Sequence, residues 1–304
     1  KPCCRCGGVL STRSGVVRVR GSSRAARAWR RFCRNRAGLI GLVVALGMVL
    51  MALLAPWLAP HSPDQQFFEG LTLEGKPLPP GGPFLLGTDL LGRDLLSRLV
   101  WGARASLLVG VVANGVAVLI GGLVGLAAGY FRGWIGALLM RFTDVMMAFP
   151  ALLLAIALAA ILRPSLWIVA LVIALVNWVQ VARVVYAQTL SLAQREYVEA
   201  ARALGATNAR ILLRHLLPHL FPTLLVWGSL GLSTTVLLEA ALSFLGVGVQ
   251  PPIPSWGGII NESQSYFTSA PWLVAFPGAA ILLTSLAFNL LGEALREALD
   301  PTLR

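Results

Sequence analysis

Apolar positions in this chain gather into long uncharged runs, with the charges held between them. The runs cover residues 37–59, 105–131, 145–162, 164–182, 220–238 and 272–292. The third extends backward through Leu138 and Met140, and the fifth forward to Leu245. A helix rises 1.5 Å per residue, so about 20 apolar residues cross the hydrocarbon core of a bilayer. The pattern predicts an all-α polytopic membrane protein with six transmembrane helices. Ala55-Pro56-Trp57, followed by Pro60, gives the first run an interfacial ending, and the run is too long for a cleaved signal sequence. Residues 61–83 are rich in Pro and Gly and read as an irregular outer loop.

Composition requires the same solvent. Of 304 residues, 57% are hydrophobic and 12% charged, against roughly 25% charged in a soluble domain. The mean hydropathy is +0.75. A soluble monomer of this make-up would expose large apolar patches.

Charge adds the orientation. Lys and Arg number 25 against 13 acids, a net +12. That excess does not point to nucleic acid, because the cations flank the apolar runs. Eleven lie in residues 1–36. With the amino terminus inside, twenty of the 25 fall on inner segments, and only Lys76, Arg93, Arg98, Arg104 and Arg163 fall outside. Basic residues favour the cytoplasmic side, so both termini are expected there. The organisation expected is a basic cytoplasmic tail (1–36), a first transmembrane helix (37–59) and an external loop with lead-in (60–104). A five-helix core (105–295) follows, with a cytoplasmic loop at 187–219 and a cytoplasmic tail at 296–304. No methionine precedes Met48, and the tail is read as a processed or misassigned start. Its Cys3, Cys4 and Cys6, with Cys33, read as free thiols rather than a zinc site, which wants four ligands at paired spacings.

Gly121, Gly122, Gly125 and Gly129 in the second run supply a small-residue face for close helix packing within the subunit. In the inner loop, residues 196–204 are mostly good helix formers. Gly205 stands where a left-handed cap would end that helix. Thr207 or Asn208 can cap a second helix over 209–217, which Pro218 closes. Two short helices with a glycine elbow make either an ordinary connector or a docking element, and the local pattern is compatible with both.

Glu199-Ala200-Ala201, three residues, Gly205, and then Leu217-Pro218 resemble the EAA coupling motif of binding-protein-dependent ABC importer permeases. Their pattern is EAA, three residues, Gly, nine residues, Ile, one residue, Leu-Pro; His215 stands here in place of the Ile. Leu86-Gly87-Thr88-Asp89 with Gly92-Arg93-Asp94, Ser97-Arg98 and Gly102-Ala103-Arg104 is similar to the dipeptide/oligopeptide/nickel branch. So are Met140-Arg141-Phe142-Thr143-Asp144 before Ala148-Phe149-Pro150, Glu239-Ala240-Ala241 before Pro254-Ser255-Trp256-Gly257, and Leu299-Asp300-Pro301. Together they pick out the second-permease, or "C", type.

The resemblance implies a type I ABC importer permease fold in a bacterial-type inner membrane. It implies the permease subunit of an ATP-driven importer of dipeptides or oligopeptides, with nickel chelates as the alternative cargo. The implied partners are a homologous second permease, two cytoplasmic ATPase subunits, an external substrate-binding protein and the surrounding lipid. Glu199, Ala200, Ala201, Gly205, Leu217 and Pro218 would couple to an ATPase, with Tyr197, Ala201 and Leu204 facing its groove. The chain has no GxxxxGK[ST] phosphate loop, HExxH or GxSxG. His61, His215 and His219 do not form a metal set. No catalytic residue, metal or cofactor is therefore expected.

Charged groups at membrane depth are costly and face protein or water. Glu239, Asn177 and Trp256 are the candidate residues of a translocation path or gate. Glu239 either lines the passage or holds the 250–256 loop, and the second reading is favoured. Asn177 and Gln180 either meet cargo or bond between helices, again with the second favoured. Asp144 is expected to pair with Arg141, three residues earlier. Trp256 and Trp272 fit an aromatic belt. A stiff turn at Pro251, Pro252 and Pro254 is read as contacting the binding protein or shaping an external gate. The rival from another class is an ion-coupled secondary transporter that uses Glu239.

Overall fold

The computed structural model describes residues 29–162 and 165–299. Most of the basic tail with Cys3, Cys4 and Cys6, the outer-loop Arg163, and the Asp300-Pro301 ending lie outside the described residues. Five helices are long and apolar enough to cross a membrane, and a bent helix pair brings the number to six if counted as one span. Among the described residues the only β-pairing is isolated bridges in the loop between the first two helices.

Helix α1, Arg36–Leu53, starts where Asn35 Oδ1 accepts a hydrogen bond from the Gly38 amide at 3.0 Å. A further turn, Ala55–Leu58, carries the chain to the loop between the first two helices. Helix α2, Leu95–Phe131, has 37 residues and begins ten residues before the uncharged run. Asp94 caps it, accepting from the Ser97 amide at 3.0 Å. At 1.5 Å per residue it is about 55 Å long, so Arg98 and Arg104 ride on its first turns.

The third uncharged run is not one straight helix. It divides into α3, Gly133–Met147, and α4, Ala151–Ile161, which meet at 87°. Pro150 stands at the break. Its ring disfavours helical geometry at Phe149 and it has no N–H to continue the ladder.

Helix α5, Leu166–Leu192, runs ten residues past Ala182, and α6, Glu196–Ala203, follows it. A continuous helical run then spans Asn208–Phe244. It contains a π-helical turn at Ile211–Leu216 and the long segment α7, Leu217–Phe244. Pro218 therefore does not close the second helix of the 187–219 loop. It cannot donate to the carbonyl four residues back, and the wider π-turn just before it lets the helix continue. A short helix, α8, Trp256–Glu262, precedes α9, Trp272–Leu299.

The most extensive interface joins α2 and α5. A Cβ added at Gly121 or at Gly125 would lie 2.4 Å from the carbonyl oxygen of Trp178 or Ala182 respectively. At Gly129 it would lie 2.6 Å from Thr189 Cβ, whereas Gly122 faces Leu224 of α7. The glycine face thus packs within the subunit, bringing backbones into contact as small residues do in membranes. Helix α1 lies on α9, where Asn35 Nδ2 donates to Glu297 Oε2 at 2.8 Å.

Candidate functional site

In the 187–219 loop the first helix and its glycine elbow form as their residues predict, whereas the second helical segment runs on into α7. Helix α6 ends with two bonds, Ala206 N–H to Ala201 O at 3.0 Å and Gly205 N–H to Arg202 O at 2.9 Å. This pairing needs a left-handed residue after the cap, and Gly205 has φ of +78°. Thr207 Oγ1 then accepts from the Arg210 amide at 3.4 Å and starts the next helical run.

One face of the element is buried. Val198, Ala201, Ile211, Leu216 and the half-buried Leu217 pack with Leu126, Tyr130, Val181 and Val185 at one end of α2 and α5. The other face is open: Glu199, Ala200, Gly205 and Pro218 are exposed, and Leu204 is 88% exposed. Ala201 accordingly points into its own subunit and not outward with Leu204. Tyr197 stacks on His219, with ring centroids 5.5 Å apart.

Tyr130 was missed by sequence reasoning. Its hydroxyl donates to Asn208 Oδ1 at 2.7 Å, and the Arg202 guanidinium lies over its ring at 5.1 Å. A tyrosine ending an apolar run reads as an interfacial aromatic; nothing local names partners more than 70 residues away.

Glu239 and Trp256 come together in a second cluster. Glu239 is fully buried in α7, with Oε1 accepting from Ser243 Oγ at 2.8 Å. Ser243 Oγ in turn accepts from the Val249 amide at 3.1 Å. Ser106 Oγ of α2 accepts from the Trp256 amide at 3.3 Å, and Trp256 Nε1 donates to Leu99 O at 3.0 Å. Trp256 is therefore a wholly buried anchor between α2 and α8, not part of an aromatic belt. Its indole N–H is satisfied by a backbone carbonyl, which lets the ring leave the interface. The hydroxyls around Glu239 bind the loop that follows α7 to the helices beneath it.

The remaining membrane polar groups bridge helices. Asn177 Nδ2 of α5 donates to Thr235 Oγ1 of α7 at 3.3 Å. Asn114 of α2, not singled out in the sequence, donates to Gly228 O of α7 at 2.5 Å. Asp144 of α3 pairs with Arg183 of α5 rather than with Arg141. An interhelical partner displaces the same-helix one because the aligned side chains meet across the α3–α5 contact. At the amino-terminal end of α2, Arg93 Nε donates to Asp89 Oδ2 at 2.6 Å and its Nη2 to Glu262 Oε2 at 2.8 Å. Arg98 bonds both of those carboxylates. Among the described residues no group of three or more His, Cys, Asp or Glu is placed to hold a metal ion.

Comparison with known proteins narrows what such an arrangement belongs to. Residues 121–304 match the family described as "Binding-protein-dependent transport system inner membrane component". Residues 23–80 match the "N-terminal TM domain of oligopeptide transport permease C". The chain is 44% identical over 277 residues to the di/tripeptide transport system permease protein DppC of Pseudomonas aeruginosa, covering 91% of each chain. It is 41% identical to the dipeptide transport system permease protein DppC of Alkalihalophilus pseudofirmus, covering 91% of this chain and 90% of that one. The glutathione transport system permease protein GsiD of Pectobacterium atrosepticum is also 41% identical, with the same coverage. Among solved structures, a chain of the inward-facing MetNI methionine ABC transporter aligns with a TM-score of 0.56 at 19% identity. It covers 67% of this chain and 96% of that one, so the two share a fold.

Proposed function

We infer that this chain, which belongs to the family of binding-protein-dependent transport system inner membrane components, is the permease subunit of an ATP-driven importer of dipeptides or oligopeptides. It is a multi-pass protein of the bacterial inner membrane, and a transport subunit rather than an enzyme. ATP hydrolysis belongs to separate subunits, and an external binding protein delivers cargo. The composition we propose is one homologous second permease and two cytoplasmic ATPases. Peptide cargo is supported by relatives named for di/tripeptide, dipeptide and glutathione transport. Both termini and the 187–219 loop lie in the cytoplasm on this reading, supported by the placement of the cations.

The observation that carries the reading is the exposed ridge Glu199, Ala200 and Gly205 on an element whose other face is packed onto α2, α5 and α7. An ATPase groove closing on that ridge would displace the packed ends of those helices. Ala200 lets the groove approach closely. Glu199, in the first turn of α6, favours the helix dipole and is free to meet a cation. Leu217 and Pro218 then carry the displacement into α7, which holds Glu239 and is bonded by Asn177 at Thr235.

The test is co-purification from membranes with the subunits encoded beside it, then ATPase and uptake assays of Glu199→Ala and Gly205→Pro. Stable ATPase partners, with hydrolysis uncoupled from uptake in the variants, are expected. A chain recovered alone that moves cargo on an ion gradient would overturn the reading.

A further inference from the structure

A lever with a glycine joint transmits force only if the joint is braced. Gly205 is such a joint: its φ is +78° and nothing lies within 4 Å of where its Cβ would be. The helix before it and the helical run after it could therefore fold about the elbow when pushed. Beside the apolar packing that the two arms share, one side chain makes a polar contact with each. Tyr130, the penultimate residue of α2 and only 7% exposed, donates its hydroxyl to Asn208, the first residue after the cap on the far side. Arg202, near the end of α6 on the near side, covers its ring.

We propose that Tyr130 is the brace of the coupling element, locking both arms of the Gly205 elbow to α2 so that ATPase closure moves the three as one body. The inference rests on the importer reading given above. The phenol suits the role because it offers two separate contacts, a face for a guanidinium and an O–H for an amide oxygen. A ring alone would hold one arm.

Helix α2 suits the receiving role. It is a single 37-residue helix, pinned to α7 by Asn114 and to α5 by Gly121, Gly125 and Gly129. Its far end holds Arg98, bonded to Glu262 of the outer helix α8. A push at Tyr130 thus reaches the outer loop through one rigid element. Tyr130 is a positioning residue on this account: it touches neither cargo nor nucleotide.

The experiment has two readouts. In the reconstituted complex with its ATPases and partner permease, cargo moved per ATP hydrolysed is measured for Tyr130→Leu, Tyr130→Phe and the double variant Arg202→Gln/Asn208→Ala. In the full chain with its four cysteines replaced by serine, spin labels at the exposed positions Leu119 and Ala203 report the distance between α2 and the arm. Tyr130→Leu should lower cargo per ATP at least fivefold and broaden the label distribution. Tyr130→Phe, which keeps the ring and loses the Asn208 bond, should lower it about twofold to threefold. A tyrosine that merely fills the inner end of the bundle would alter thermal stability and leave cargo per ATP unchanged, and that result overturns the proposal. If Tyr130→Leu does not fold, the double variant on the two exposed partners decides by the same criterion. If the wild-type chain binds no ATPase, the importer reading fails. The label distribution in the full chain still judges the brace.

Discussion

Arg98 and Glu262 join segments 164 residues apart through a two-pronged contact: Nη1 and Nη2 of Arg98 donate to Oε2 and Oε1 of Glu262 at 2.8 and 3.1 Å. Arg98 also bonds Asp89, and its side chain is 3% exposed against 30% for Glu262. Removing one member of a buried pair leaves an uncompensated charge, at a cost of about 3–5 kcal/mol. Arg98→Leu strands two carboxylates on Arg93 and should lose that much. Glu262→Gln keeps acceptor and shape at the more exposed end and should lose about 1 kcal/mol. Denaturant unfolding in detergent, followed by tryptophan fluorescence, measures both. Equal losses would mean that the buried Asp89 contributes nothing to the cluster.

At Gly205 the cost of any side chain is conformational, because the space around it is open. A left-handed residue with a Cβ costs about 1–2 kcal/mol, and Asn tolerates that region better than others. Uptake should therefore fall in the order Gly, Asn, Ala, Val, with the β-branched residue worst. Helix capping, not contact with a partner, would set this order. A Val variant as active as the Asn variant would contradict it.

Glu239 separates two kinds of transporter. Its buried carboxyl accepts a hydrogen bond from Ser243, which in turn holds the Val249 amide. Gln presents an oxygen at the same place, so Glu239→Gln should keep uptake within about twofold, whereas Glu239→Leu should leave Ser243 without its acceptor and cost about 1–3 kcal/mol. A carboxylate that carried a coupling ion would not survive the Gln substitution. Loss of uptake in Glu239→Gln with stability intact would return the ion-coupled reading to consideration.

How far the residues announced this structure depends on whether their partners are near in sequence. The spans were legible because lipid imposes long uncharged runs, and Gly205 because a helix that must turn left-handed selects glycine. The true start of α2 was not, because the uncharged run stops at Arg104, short of the buried Arg98. It is tolerated in the helix by Asp89 and Glu262, one of them far along the chain. Pro150 bends a run whose apolar pattern has no break, while Pro218 fails to stop a helix because a π-turn absorbs it. In the 187–219 loop the glycine elbow was visible in the residues, but the burial of Ala201 was not. Tyr130 was not, since its meaning lies in Arg202 and Asn208.

The Asp144–Arg183 pair tests whether α3 is held to α5 by charge or by position. Both side chains are about half exposed within membrane helices, where a lone charge costs about 2.5–3.5 kcal/mol at mid-span. Neutralising either residue leaves such a charge, so Asp144→Asn and Arg183→Gln should each lower the yield of folded subunit. Exchanging the two, Asp144→Arg with Arg183→Asp, re-forms the pair with reversed polarity and should recover most of that yield. Size-exclusion chromatography of the detergent-extracted chain reads the outcome directly. If the exchanged protein folds but does not transport, the pair has a directional role toward cargo or partner permease beyond holding α3. If it folds no better than the single variants, packing around Phe142, which stacks on Trp178, carries the α3–α5 contact instead of the ion pair.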